Sequence, residues 1–360
     1  MRILSLIGIM LCAALSVSLH AAEPSKKPKS KTAKTNSVQG PTYAKRKDVT
    51  AWAEKTAKEY QLDPKWVNSQ LAQARFIPSI PKLILPPTQV NKKNWIAYQA
   101  RFIEPKRIEA GVQFWKQNQK ILQEAEDQFG VPAWLVVGII GVETFYGRHT
   151  GNFRTLDALS TLTFDFPSAH PRAAERQAFF SKELAHFLVL AHQEKMKPSS
   201  IKGSYAGALG LPQFMPSSWA RFAIDFDGDK HIDLFANQTD VIGSVANYFK
   251  AFQWRPGMPT HYPVQFDASK LDMDTLMAPD ILPTFSVPSF LVKGAILEGD
   301  ALNHTGPLAL IELLNGDAPP SYVAGTENFY AITRYNWSSY YAMAVIELGE
   351  AVARQMQNQR

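Results

Sequence analysis

A mainly α-helical fold with a small β-rich portion is predicted by three features of this sequence. Stretches with helical spacing recur along it, notably over 49–60, 104–129, 173–196, 239–252 and 328–354. One apolar run, 131–147, has no polar face and reads as a helix buried all round. Between 256 and 325 the character changes to β-branched and aromatic residues with scattered Pro and Gly, and the runs 263–266 and 288–292 read as short strands. At 360 residues and 46% hydrophobic content the chain can bury a substantial core divided among two or three subdomains.

The N-terminus reads as an export signal over 1–22, with Arg2, an apolar stretch from Ile3 to Val17, and small residues at Ala21-Ala22. The only cysteine, Cys12, lies inside it, so cysteine chemistry and disulfides are excluded from the mature chain. The bulky Leu11 before Cys12 disfavours a lipid-attachment site, and the expected location is the periplasm with possible outer-membrane association. Residues 23–47 carry eight basic side chains against one acid and read as a disordered tether. Setting aside Arg2 and this tether leaves 29 basic and 31 acidic residues, so the net charge of +6 belongs to the tail. A nucleic-acid-binding fold would hold its positive charge on the folded part, and that class is discounted. Contact with a membrane, if any, is expected through the N-terminal region, because no later segment is apolar for long enough to cross one.

From residue 48 to 130 a helical subdomain is expected, completed by 337–360. Its elements are the amphipathic 49–60, a second helix opened by Asp63-Pro64, a Pro-rich extended crossing over 77–87, an aromatic helical piece over 94–102, and one long helix over 104–129. Val112, Trp115, Ile121 and Phe129 are the inward candidates of that long helix. The core would span 131–255, the β-rich part 256–327, and the C-terminal segment and helix 328–360.

The apolar run carries one carboxylate, Glu143, near its end. Pro132 suits a first helical turn and Gly147 a left-handed stop. Burial disfavours the ionised carboxyl and raises its pKa, which makes a proton donor near neutral pH. The alternative is a structural Glu paired with Arg148 or Arg154. The segment 203–219 is too dense in Gly and Pro for a regular helix, so backbone approaches something closely there.

Gly141-Val142-Glu143-Thr144-Phe145-Tyr146-Gly147, followed by Ala206-Gly207-Ala208-Leu209-Gly210 and Gln213-Phe214-Met215-Pro216-Ser217-Ser218, closely resembles the membrane-bound lytic murein transglycosylase B family. The likeness extends from about Trp95 to the C-terminus through Ile242-Gly243-Ser244-Val245-Ala246-Asn247-Tyr248-Phe249 and Asn328-Phe329-Tyr330-Ala331-Ile332-Thr333-Arg334-Tyr335-Asn336. It implies a lysozyme-like core with helical and β subdomains around a groove for peptidoglycan glycan strands. It also implies non-hydrolytic cleavage between N-acetylmuramic acid and N-acetylglucosamine with formation of a 1,6-anhydromuramyl end, in cell-wall remodelling. Ordinary glycosidases use two carboxylates. Here the helix offers one, although Asp157 or Asp165 could supply a second and make the enzyme a hydrolytic muramidase. A non-catalytic wall-binding scaffold is the third reading.

By resemblance, Ser204, Gln213, Phe214, Tyr248 and Tyr330 stand where the family lines its sugar subsites, Tyr98 is a further candidate, and Arg176 survives from an Arg pair on the peptide side. Aromatic faces and Gln or Ser polar groups suit sugars. The run Asp225-Phe226-Asp227-Gly228-Asp229-Lys230-His231 resembles the start of an EF-hand loop, with oxygen ligands from Asp225, Asp227, Asp229 and the His231 carbonyl. Lys230 replaces the usual Gly and Ala236 the closing Glu; in the family the closing ligand comes later, at a place that Asp240 fits. Structural Ca²⁺ is expected there, with no organic cofactor. A monomer that meets glycan strands and other cell-wall enzymes is the expected assembly.

Overall fold

The computed structural model describes residues 40–86 and 93–359; the expected signal segment and residues 23–39 of the expected tether lie outside them. The described chain forms two compact units, one from 40–86 with 152–207, the other from 93–151 with 208–359. These units cross the boundaries expected from the sequence, because the stretch 48–130 is shared between them. Linear order conceals the reason: the partners of 40–86 come a hundred residues later.

In the unit formed by 40–86 and 152–207, the last tether residues are ordered. Tyr43 is buried, its hydroxyl donates to Asp165 Oδ2 at 2.6 Å, and Arg46 Nη1 meets Asp165 Oδ1 at 2.7 Å. The helices Lys47–Tyr60 and Pro64–Leu71 follow, the second capped by Asp63, whose side chain accepts from the Lys65 N–H. The expected extended crossing contains a short helix instead, Ile80–Ile84, because Pro81 suits a first turn and Ile80 and Ile84 can both be buried. Helix Thr155–Phe164 is buried along most of its length and packs against the longer Ala173–Gln193. Asp157 in this helix and Asp165 just after it are both engaged. Asp157 takes Arg154 at 2.5 and 2.8 Å and the Arg75 N–H at 2.8 Å, and Asp165 holds Tyr43 and Arg46.

In the other unit the expected 104–129 helix is two, Pro105–Gln117 and Gln119–Phe129, broken where Asn118 leaves helical geometry and returns its side-chain amide to the Phe114 carbonyl at 2.8 Å. Of the four inward candidates only Val112 is fully buried; Phe114, Leu122 and Ala125 fill the other core positions. The apolar helix is Ala133–Thr144, and the C-terminal helix Ser339–Gln357 lies along it. Two glycines set that approach. A Cβ on Gly138 would stand 2.4 Å from the Val345 carbonyl oxygen, and one on Gly349 would stand 2.2 Å from that of Trp134.

The β-rich part has a three-stranded antiparallel sheet, His261–Pro263 beside Ala318–Gly325 beside Ala309–Asn315, and a small pair, Gln265–Phe266 with Ala295–Ile296. It has its own apolar cluster around Leu276, Phe290 and Leu308. The run expected as a strand at 288–292 is helical, Val287–Val292, because Pro288 sits in a first turn and Ser286 caps it. After Glu327–Thr333 the chain breaks at 334–338, and Ser338 caps the C-terminal helix.

Candidate active site

Glu143 sits in the last turn of the apolar helix, one residue before its end. The helix stops earlier than Gly147: Phe145 and Tyr146 already have positive φ, 51° and 56°, and Gly147 follows at 87°. Two non-glycine residues in this region cost about 1–2 kcal/mol each. What they gain is direction. The Tyr146 hydroxyl fits against Gly111 and Gly141, where any Cβ would come within 2.4 and 2.5 Å of it, and its ring stacks on Phe114. Thr144 fastens the turn, donating to the Leu211 carbonyl at 2.9 Å and accepting from the Gly147 N–H at 3.0 Å.

Glu143 is partly accessible as a residue, with protein enclosing most of it. Burial pushes its pKa up to about 7, partly offset by a hydrogen bond from Tyr341. The Tyr341 hydroxyl donates to Oε1 at 2.6 Å; Oε2 has no protein partner among the described residues. Neither Arg148 nor Arg154 pairs with Glu143. Arg154 is bound to Asp157 and the Gln73 carbonyl, and Arg148 lies over the Phe145 ring, 4.6 Å from its centroid.

Tyr341 is held by a packed set of rings. Tyr335 stacks on it at 6.4 Å and in turn contacts Tyr248 at 4.8 Å, Phe214 at 5.8 Å and Phe249 at 5.9 Å. The Tyr335 hydroxyl donates to the Pro212 carbonyl at 2.5 Å, and that of Tyr248 to the Arg334 carbonyl at 2.6 Å. Phe214 and Tyr248, each 2% exposed, therefore have no ring face to offer a sugar. They are corrected from stacking residues to supports of the tyrosine that meets the acid. The residue pattern singles out neither Tyr335, which lies inside the last motif, nor Tyr341, which lies beyond its end at Asn336. The run Tyr335-Asn336-Trp337-Ser338-Ser339-Tyr340-Tyr341 holds four aromatic residues in seven and could have prompted a search for a ring cluster.

The other expected subsite residues divide between the two units. Gln213, at φ 51°, donates its side-chain amide to the Gly210 carbonyl at 2.9 Å and the Thr150 carbonyl at 3.2 Å, which fixes its carbonyl oxygen as the spare acceptor. Tyr98 is half-buried against Trp95, Phe102 and Tyr340; burial pushes its hydroxyl up to about 12, and the charges of Arg101 and Glu143 both act on it. Tyr330 is partly accessible, edge-on to Trp337 at 5.9 Å. Ser204 and Arg176 belong to the unit of 40–86 and 152–207. The Ser204 hydroxyl accepts from the Ala206 N–H at 3.3 Å. Arg176 is 6% exposed with its guanidinium over Phe179 and Phe180, so little of it is left to meet a peptide.

In the acidic loop, carboxylate oxygens of Asp225, Asp227 and Asp229 lie within 4.8 Å of one another. The loop is preshaped: Asp225 accepts the N–H groups of Gly228, Asp229 and Lys230, and Lys230 adopts φ 73°, the conformation for which the usual loop supplies Gly. Three hard oxygen donors at this spacing fit Ca²⁺. Asp240 does not join them. Fully buried, it spends one oxygen on the Phe226 N–H and the other on the Asp233 N–H, both at 2.8 Å, and so ties the loop to helix Gln238–Ala251. His231 is exposed at the loop's end, and its N–H donates to Asp229.

The transglycosylase SLT domain family matches residues 44–350. The chain is 38% identical over 322 residues to membrane-bound lytic murein transglycosylase B of Escherichia coli strain K12, covering 87% of this chain and 85% of that one. The crystal structure of soluble lytic transglycosylase SltB1 from Pseudomonas aeruginosa superposes with a TM-score of 0.77 at 40% identity, covering 86% of this chain and 99% of that one. The Escherichia coli lytic transglycosylase Slt35, in a structure in complex with calcium, gives a TM-score of 0.77 at 36% identity over 90% of this chain and 98% of that one.

Proposed function

Because this chain belongs to the transglycosylase SLT domain family, we propose that it is a peptidoglycan lytic transglycosylase in which Glu143 is both acid and base. The glycosidic bond broken joins C1 of N-acetylmuramic acid to O4 of N-acetylglucosamine. Protonated Glu143 gives its proton from Oε2 to that O4 as the C1–O4 bond breaks. The carboxylate so formed, its Oε1 held by Tyr341, takes the proton from the muramyl O6 as O6 bonds to C1, closing the 1,6-anhydro ring and restoring the acid. No water enters.

The observation that carries this reading is the state of Glu143: burial raises it to about 7, so both protonation forms are populated near neutral pH, and Tyr341 occupies only one of its oxygens. The hydrolytic alternative needs a second carboxylate, and Asp157 and Asp165 are both engaged by arginines. A scaffold without chemistry would have no use for an acid in this state. Gln213, Tyr98 and Tyr330, all in the unit that holds Glu143, are the residues proposed to contact sugars; Ser204 is proposed as a sugar contact within the other unit. Asp225, Asp227 and Asp229, with the His231 carbonyl, are proposed to hold a structural Ca²⁺, a role the calcium complex of Slt35 supports. The N-terminal signal pattern supports export to the periplasm.

Mass spectrometry of digested sacculi tests the reaction. Anhydromuramyl ends from the wild type, and none from Glu143→Gln, are expected; reducing ends would mean hydrolysis.

A further inference from the structure

We propose that the exposed guanidinium of Arg148, stacked on Phe145 two residues after Glu143 in the chain, is a subsite for the carboxylates of the peptide stems that muramyl residues carry; this rests on the proposed action on peptidoglycan. The starting point is the strained turn. A glycine at 145 would end the helix with less strain, so its absence calls for something only a side chain can do. The Phe145 ring lies between two guanidiniums, that of Arg107 at 4.4 Å from its centroid and that of Arg148 at 4.6 Å.

The two arginines differ in what remains free. Arg107 is largely enclosed, donates from Nη1 to the Gly141 carbonyl at 2.8 Å and has Glu104 3.8 Å from Nη2; it anchors the stack. Arg148 is exposed, and among the described residues no carboxylate lies within ion-pair distance of it. A guanidinium resting on an aromatic face keeps its planar fork of N–H donors at the edge, the geometry that takes a carboxylate through two parallel hydrogen bonds. The positive strip continues toward the acid. Arg107 also lies over Phe102 at 5.3 Å, and Arg101 over Phe102 at 5.8 Å and Tyr98 at 5.6 Å, while the Tyr98 hydroxyl lies within the electrostatic reach of both Arg101 and Glu143. N-acetylhexosamine rings are neutral and have no use for such a strip; the anionic part of the substrate is the peptide.

The test measures binding by inactive Glu143→Gln protein to soluble glycan oligomers of three kinds: with peptide stems, stripped by an amidase so that only lactyl carboxylates remain, and chito-oligosaccharides without carboxylates. Adding Arg148→Ala is expected to raise Kd for stem-bearing oligomers about tenfold and to shift the other two much less, with Arg148→Lys falling between because it lacks the fork. Equal loss on all three kinds, or loss on stripped strands as large as on stem-bearing ones, would overturn the assignment. The wild-type digest is scored separately, so reducing ends there would sink the cleavage reading without touching these ratios.

Discussion

The hydroxyl of Tyr341 donates to Oε1 of Glu143 across 198 residues of sequence, at 2.6 Å. This bond favours the carboxylate, so it works against the burial that raises Glu143 to about 7. Tyr341→Phe therefore shifts that pKa further up. The pH optimum for anhydromuramyl release should move to higher pH, with turnover down about tenfold or more from the loss of a positioned partner. An unmoved pH profile would show that the tyrosine does not act through the acid.

The same raised pKa has a cost in stability. Between the ordinary carboxyl value of 4.5 and about 7 the folded protein binds more protons at Glu143 than the unfolded chain does, so this group's contribution to stability falls as pH rises through that window. Glu143→Gln removes the loss. Thermal unfolding should find the variant more stable than wild type at pH 8, by about 1–2 kcal/mol after allowance for the partial accessibility of Glu143, and the gap should close below pH 4.5. A gap that persists at pH 4 would place its origin elsewhere.

Gly138→Ala should destabilise the protein by about 1–3 kcal/mol, because the new methyl would stand 2.4 Å from the Val345 carbonyl oxygen and push two buried helices apart. Since Tyr341 rides on the displaced helix, catalytic rate should fall with the melting temperature, which paired calorimetry and digestion assays can follow.

The proposed Ca²⁺ and Asp240 would act on the same loop by separate means. Adding Ca²⁺ should raise the melting temperature of wild type and not of Asp225→Asn; no rise with wild type would remove the metal proposal. Asp240→Asn should destabilise the protein with or without Ca²⁺, since its oxygens bind the backbone N–H groups of Phe226 and Asp233.

The sequence made Glu143 legible because an acid in an all-apolar helix is a chemical anomaly that needs no knowledge of the fold. The helices also announced themselves where period and caps agreed, as at Asp63-Pro64. Element breaks were harder. Asn118 interrupts a run whose apolar spacing barely changes, and Ser286 with Pro288 outweighed the β-branched residues around them. Tyr341 was missed for a different reason: its role depends on a contact with a helix two hundred residues earlier, and periodicity holds no trace of such a partner. Phe214 and Tyr248 have residue types suited to sugars, and only their burial separates a stacking face from a supporting one.

The close seating of helix Ser339–Gln357 against Ala133–Thr144 also governs when activity begins. Synthesis reaches Glu143 long before Tyr341, which follows it by 198 residues. Until helix Ser339–Gln357 has been made, the acid lacks its partner and its helix lacks its cover. The catalytic arrangement is thereby completed only when helix Ser339–Gln357 docks, after nearly two hundred further residues have been made.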